Sequence, residues 1–170
     1  MGASGAGRAG EHRSFDADTP ELRGLRDRSH PLPIGVGTFQ RTPVGAVLLY
    51  AMHDVTSGGR YVEALWGTRF DAGVLALYPL LGVAYRSGAF VRHLYGIDAA
   101  ESAASGYPAY APGGSTVPLA GLAASVRLSG PWTLQAQWRH RWLDEAIGDS
   151  PIVNARSQDS GHLAVTYAFK

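Results

Sequence analysis

The sequence predicts an all-β protein, an antiparallel up-and-down transmembrane β-barrel of which about seven strands are present, so that the barrel is incomplete. Three observations predict it. Apolar and polar side chains alternate along segments of about ten residues, the length of a strand that crosses a membrane. Turn-forming clusters such as Thr56-Ser57-Gly58-Gly59 and Ser129-Gly130-Pro131 separate those segments. Charged residues make up 17% and Gly contributes 22 residues, against roughly 25% charged in a typical soluble domain.

In chain order, residues 1–31 mix Gly, Arg, Asp, Glu and Pro with few apolar positions, which predicts a weakly ordered segment ahead of a barrel portion over 32–170. Strands are expected at 34–40, 45–52, 61–70 and 73–85. Pro79 sits inside the last of these, and because proline donates nothing to a ladder, a bulge, break or unpaired edge is expected there. A long loop at about 87–116 follows. Within it, 98–106 reads as a short helix with Asp98 as N-cap, Glu101 in the reciprocal capping position and Gly106 as stop.

The segment 117–128 opposes Leu122, Ala124, Val126 and Leu128 to Gly121, Ala123, Ser125 and Arg127. The clearest strand is 132–142, where Trp132, Leu134, Ala136, Trp138, His140 and Trp142 alternate with Thr133, Gln135, Gln137, Arg139 and Arg141. Successive side chains of a strand point to opposite faces. One face is therefore aromatic and apolar, and the other carries Gln and Arg. Trp at separated heights on one face suits the aromatic girdles at membrane interfaces, where an indole buries its ring and wets its N–H. Trp132, Trp138 and Trp142, with Tyr167 and Phe169 of the closing strand, are the expected interface aromatics. A soluble β-sandwich with its apolar face inward is the alternative for the same pattern.

Composition narrows the function. The net charge of +1 supplies no field to recruit nucleic acid, and no basic run with interleaved aromatics occurs. The absence of Cys removes disulfides, thiolate metal sites and cysteine nucleophiles. The mean hydropathy of -0.07 does not argue against a membrane, because the two faces of a barrel wall cancel in the average. The first residues show no export signal, so the chain reads either as soluble or as a fragment of a longer barrel.

Chemistry finds little support. His53-Asp54 and Asp149-Ser150 are the nearest things to base or nucleophile pairs, yet neighbours on an extended strand diverge. Asp149-Ser150-Pro151 reads better as a turn with Asp149 bonding backbone and Ser150 extended before proline. The six His are scattered, without the short spacings of zinc sites, and no cofactor or metal is expected. Glu63, Arg69, Arg127, Gln135, Gln137, Arg139 and Arg141 are the lumen-facing candidates. Such charges form ion-pair ladders or tune solute selectivity, and the ladder is the preferred reading.

Two stretches resemble a known family. YGIDAAESAASGYPAYAPGG at 95–114 is similar to the segment of MipA/OmpV proteins in which Tyr95 and Gly96 lead into an Ala-rich helix and a turn carrying Pro108, Ala109 and Tyr110. LDEAIGDSPIV at 143–153 resembles the family's loop before the last strand, with Ser150, Pro151, Ile152 and Val153. The resemblance covers the C-terminal portion of such proteins. It implies a Gram-negative outer-membrane barrel in contact with outer-membrane lipid, and not an enzyme. It also implies a scaffold for a murein transglycosylase and a peptidoglycan synthase, with a porin-like channel and a rim-active enzyme as alternatives. Family members begin with a signal and further strands and end on an aromatic residue, whereas Lys170 follows Phe169 here.

Overall fold

A computed structural model describes residues 23–169. The first 22 residues of the 1–31 segment, His12 among them, and Lys170 lie outside the described residues. The strands are β1 (Pro33–Thr42), β2 (Gly45–Asp54), β3 (Arg60–Gly67), β4 (Phe70–Ala72), β5 (Leu75–Arg86), β6 (Ser115–Arg127), β7 (Trp132–Trp142) and β8 (Ser157–Tyr167). They form one 8-stranded sheet in the order β1-β2-β3-β5-β6-β7-β8, with β4 paired to β5. Every pairing is antiparallel. The fold is thus all-β and barrel-like with up-and-down connectivity, and the sheet is not closed. None of the described helices is long and apolar enough to cross a membrane.

The count rises from seven to eight because the expected strand at 61–70 divides into β3 and β4. Pro79 explains the division. Its carbonyl accepts from the Thr68 amide at 3.3 Å, and the N and C=O of a residue in an antiparallel pair face the same neighbour. The missing N–H therefore faces the gap between β3 and β4. On the other side, the β5–β6 ladder runs unbroken from Leu75↔Val126 to Arg86↔Ser115. The expected break is present, but in the strand opposite the proline.

Register sorts the side chains. On the inner face lie Tyr50, Glu63, Ala84 and Val117, successive partners across β2, β3, β5 and β6. Of these, Glu63, Ala84 and Val117 are buried, whereas Leu81, Val83, Leu122, Trp138 and Leu163 of the opposite face are exposed. Curvature is fixed from within. Arg139 on β7 reaches to 3.8 Å from Glu63 on β3, although three inter-strand steps in a flat sheet would separate their backbones by roughly 14 Å.

Three departures from the expected elements have physical causes. Helix α1 (Gly88–Tyr95) occupies part of the loop expected to be irregular; Phe90, Val91, Leu94 and Tyr95 give it one buried face at helical spacing. A one-turn helix, α3 (Glu145–Gly148), lies in the 143–156 connection. Strand β8 begins at Ser157 instead of near His162, because Ser157, Asp159 and Gly161 carry no apolar signal and are held by pairing with β7. Helix α2 (Ala99–Ser105) agrees with expectation, with a complete Asp98/Glu101 capping box and Gly106 left-handed at φ 79. The described part of the N-terminal segment forms a turn and coil in which Leu25 and Arg28 are buried.

Gly121 on β6 is required by close approach: an added Cβ would stand 2.6 Å from the Trp138 carbonyl oxygen, 3.1 Å from Arg139 Cγ and 3.2 Å from Leu80 Cδ1. Gly121→Val is expected to cost about 1–3 kcal/mol through overpacking, read as a lower denaturant midpoint for the detergent-solubilised chain. An unchanged midpoint would show that the inner wall is not packed as described.

Candidate functional site: a loop cap over a two-faced wall

The cap closes the end of the sheet where β2, β5 and β7 finish, and it is built from the connections at 55–59, 87–114 and 143–156. Phe90, Val91, Leu94 and Tyr95 of α1 meet Val117 and Ile147, with Leu143 and Val153 packed against them. The two stretches singled out in the sequence, 95–114 and 143–153, come together here. Tyr110 pairs with Ile97 through backbone bonds of 2.8 and 2.9 Å. Its hydroxyl donates to the Glu145 carbonyl at 3.1 Å and the Ala146 carbonyl at 3.3 Å. Ser150 Oγ donates to the Tyr95 carbonyl at 2.7 Å. Pro108 and Ala109 are exposed and lead the chain into Tyr110, while Pro151 and Ile152 form a turn that brings the Val153 amide to the Ser150 carbonyl at 2.9 Å.

The N-terminal segment is fastened to this cap by a buried cation. Arg28 donates to the carbonyls of Leu94 at 2.7 Å and Gly96 at 2.6 Å, and to Glu101 Oε1 at 3.2 Å. Burial lowers the Arg28 pKa, and the adjacent Glu101 carboxylate opposes that shift. Asp98 is held below the usual carboxylate range, chiefly by the hydrogen bond from the Glu101 amide. Burial pushes the Tyr95 phenol up. Nothing in the sequence distinguishes Arg28 from Arg23 and Arg26, because its partners lie 66 to 73 positions away.

The paired candidates for chemistry are not brought together. Asp54 accepts from the Leu32 amide at 2.6 Å, the Ser57 amide at 2.9 Å and the Ser57 hydroxyl, closing a turn, while His53 points to the other face. Asp149 corrects the expectation of a backbone bond: its carboxylate lies 2.5 Å from the Arg156 guanidinium, because the chain reverses there and returns Arg156 beside it. Among the described residues no group of three His, Asp or Glu could hold a metal ion.

The inner face gathers the polar candidates. Glu63, Arg127, Gln135, Gln137, Arg139 and Arg141 share it by register. Glu63, 1% exposed, accepts from the Tyr50 hydroxyl at 2.5 Å and from the Tyr61 hydroxyl. Arg141 donates to Ser160 at 3.3 Å. Arg69 follows β3 and binds Asp71 through two nitrogens at 2.7 to 3.0 Å. Sequence reading missed Tyr50, Tyr61 and Arg86, whose guanidinium stands 5.9 Å from the Tyr61 ring; their strands alternate too softly for a face to be assigned.

On the outer face the aromatics occupy both ends. Trp132 meets Tyr167 with ring centroids 4.8 Å apart, and Tyr167 meets Phe169 at 4.7 Å. At the cap end Trp142 meets His140 at 4.7 Å. Trp138 Nε1 donates to Asp159 at 2.9 Å, and His140 Nδ1 lies 3.0 Å from the same oxygen.

Removing the cap's buried cation gives a direct check. Arg28→Met leaves the Glu101 carboxylate buried without that partner, a change that costs about 3–5 kcal/mol when a buried pair is broken from one side. Hydrogen exchange across 88–106 is expected to accelerate strongly while β7 and β8 stay protected; uniform exchange in variant and wild type would contradict the assigned role.

The family model described as MltA-interacting protein MipA matches residues 2–169. Among curated relatives, the MltA-interacting proteins of Escherichia coli (strain K12) and Shigella flexneri are each 28% identical over 159 residues, covering 92% of this chain and 64% of theirs. YiaT of Escherichia coli (strain K12), provisionally named an outer membrane protein, is 29% identical over 156 residues, covering 91% of this chain and 63% of its own. The chain thus spans just under two thirds of the length of these relatives. No solved structure matches.

Proposed function

The chain belongs to the MltA-interacting protein MipA family, and from that premise we propose that it forms part of the wall of an outer-membrane β-barrel that serves as a scaffold. It joins a murein-degrading transglycosylase to a peptidoglycan synthase at the membrane. The observation that carries the membrane placement is the division of the sheet into two faces. Its outer side exposes Leu81, Leu122, Trp138, Leu163 and Val165, a surface costly to leave in water, with aromatics at both ends, as interfacial girdles require. The polar candidates face inward, as a lumen wall does. The partner is suggested by the name of the relatives, which are 28% identical to this chain.

A non-enzymatic role agrees with the family name and with the separation of His53 from Asp54 and the engagement of Asp149 by Arg156. A porin-like channel is the second reading, favoured by Arg139, Arg141, Gln135 and Gln137 on the inner wall. The scaffold reading expects the detergent-solubilised chain to retain the purified transglycosylase of its own bacterium on an affinity resin, and to give no stepwise conductance in a planar bilayer. Steps of conductance without retention would replace the scaffold with the channel.

A further inference from the structure

We infer that the end of the sheet opposite the cap, a mouth set with Arg41, Arg69 and Arg127, is the docking surface for the periplasmic partner, and that the partner offers it an acidic patch. This rests on the scaffold reading above and specifies which surface performs it.

Direction comes from the connections. Long ones, at 87–114 and 143–156, join the strands at the cap end; short ones, at 43–44, 73–74 and 128–131, join them at the other. The chain also leaves β8 at the short-turn end, where the Ala168 amide donates to the Pro131 carbonyl at 3.1 Å. Outer-membrane barrels place short turns in the periplasm and long loops outside. The cap, with both family-like stretches, therefore faces the exterior. Murein lies on the other side, so an enzyme that works on it meets the short turns.

The chemistry of that end is distinctive. Arg41 near the end of β1, Arg69 just after β3 and Arg127 at the end of β6 all belong to the inner face. Arg41 stands 6.0 Å from the Phe39 ring, Arg69 5.7 Å from the Tyr78 ring, and Arg127 donates to the Gly73 carbonyl at 3.4 Å. Strand order places them on alternate strands of the path, roughly 10 Å apart along the rim. Asp71 is the one acidic residue at this end among the described residues, and Arg69 engages it, which leaves an excess of two positive charges.

Because these side chains follow the inner face, they edge the mouth instead of the lipid belt. Beside them the turns expose Val44, Val74 and Leu128 at 71%, 61% and 49%. Apolar tips next to a cationic rim match a protein surface with an apolar centre and complementary charge. A glycan strand has little apolar surface to cover those tips.

The test measures binding of the purified transglycosylase by the full detergent-solubilised chain, as wild type, as R41E/R127E, which leaves the Arg69–Asp71 pair intact, and as R92E, which reverses a charge in the cap, where Arg92 of α1 donates to the Pro112 carbonyl at 3.3 Å. The reversal is expected to weaken binding at least about tenfold and to flatten its salt dependence, while R92E binds as wild type does. A reversal variant that binds normally, or an R92E variant that does not, overturns the inference. Failure of the wild type to bind overturns the scaffold reading instead. Binding of isolated murein sacculi by wild type but not R41E/R127E, with the enzyme bound equally by both, overturns the partner class. Should the reversal not fold by circular dichroism, R41Q/R127Q carries the same test with a smaller expected loss. The absence of native Cys allows a parallel check of direction: in intact cells a bulky maleimide-polyethylene glycol should label A111C and spare V44C, and the opposite pattern overturns the assignment.

Discussion

Sideways pairing of the backbone in an unbroken antiparallel ladder is the constraint on which the rest of this molecule depends. A strand locked in register commits every second side chain to one face, and a slip of one residue would exchange the faces completely. From Leu75↔Val126 to Trp142↔Ser157 the ladders hold that register through β5, β6, β7 and β8. Trp132, Trp138 and Trp142 therefore share a face that Arg139 and Arg141 cannot reach. In lipid the constraint tightens, because an unpaired backbone group in hydrocarbon costs several kcal/mol. Pro79 is tolerated because its missing donor falls in the gap between β3 and β4, where Thr68 supplies the contact to its carbonyl.

Two buried charges turn that ladder into a specific shape. Glu63 draws Tyr50, Tyr61 and Arg139 to one point on the inner face, tying the paired strands β2 and β3 to β7, with which neither of them pairs. A buried carboxylate is costly unless its lone pairs are filled, so curvature and charge satisfaction depend on each other. Arg28 does the equivalent at the cap, where it satisfies the terminal carbonyls of α1 and the Glu101 carboxylate together. The family-like residues Tyr110 and Ser150 interlock the two long connections beneath it. The cap is thus a packed unit with its own small core, seated on the wall instead of hanging from it.

Legibility in the sequence followed the locality of each interaction. Strand β7 was readable to its ends because its alternation is complete, and α2 was readable because a capping box and a left-handed glycine are short-range devices. Helix α1 carried its signal, buried positions at helical spacing, over only eight residues bounded by Gly88 and Gly96. The start of β8 and the split between β3 and β4 were hidden because partner strands determine them. In the inner wall, Arg139 was assigned to a face from alternation alone, but its pairing with Glu63 across three inter-strand steps was not. The Arg28 contacts were invisible for the same reason. A cationic mouth at the short-turn end emerges only when Arg41, Arg69 and Arg127, distant in sequence, are placed on one rim by the strand order.

The central claim is that the two faces of this sheet meet different solvents. Site-directed spin labels placed singly at 162 to 167 along β8, in the chain reconstituted into lipid vesicles, test it through accessibility to oxygen, which concentrates in lipid, and to a water-soluble nickel chelate. Labels at Leu163, Val165 and Tyr167 are predicted to be oxygen-accessible and those at His162, Ala164 and Thr166 to be protected from oxygen, with a period of two. Equal accessibility to the nickel chelate at all six positions would contradict the account.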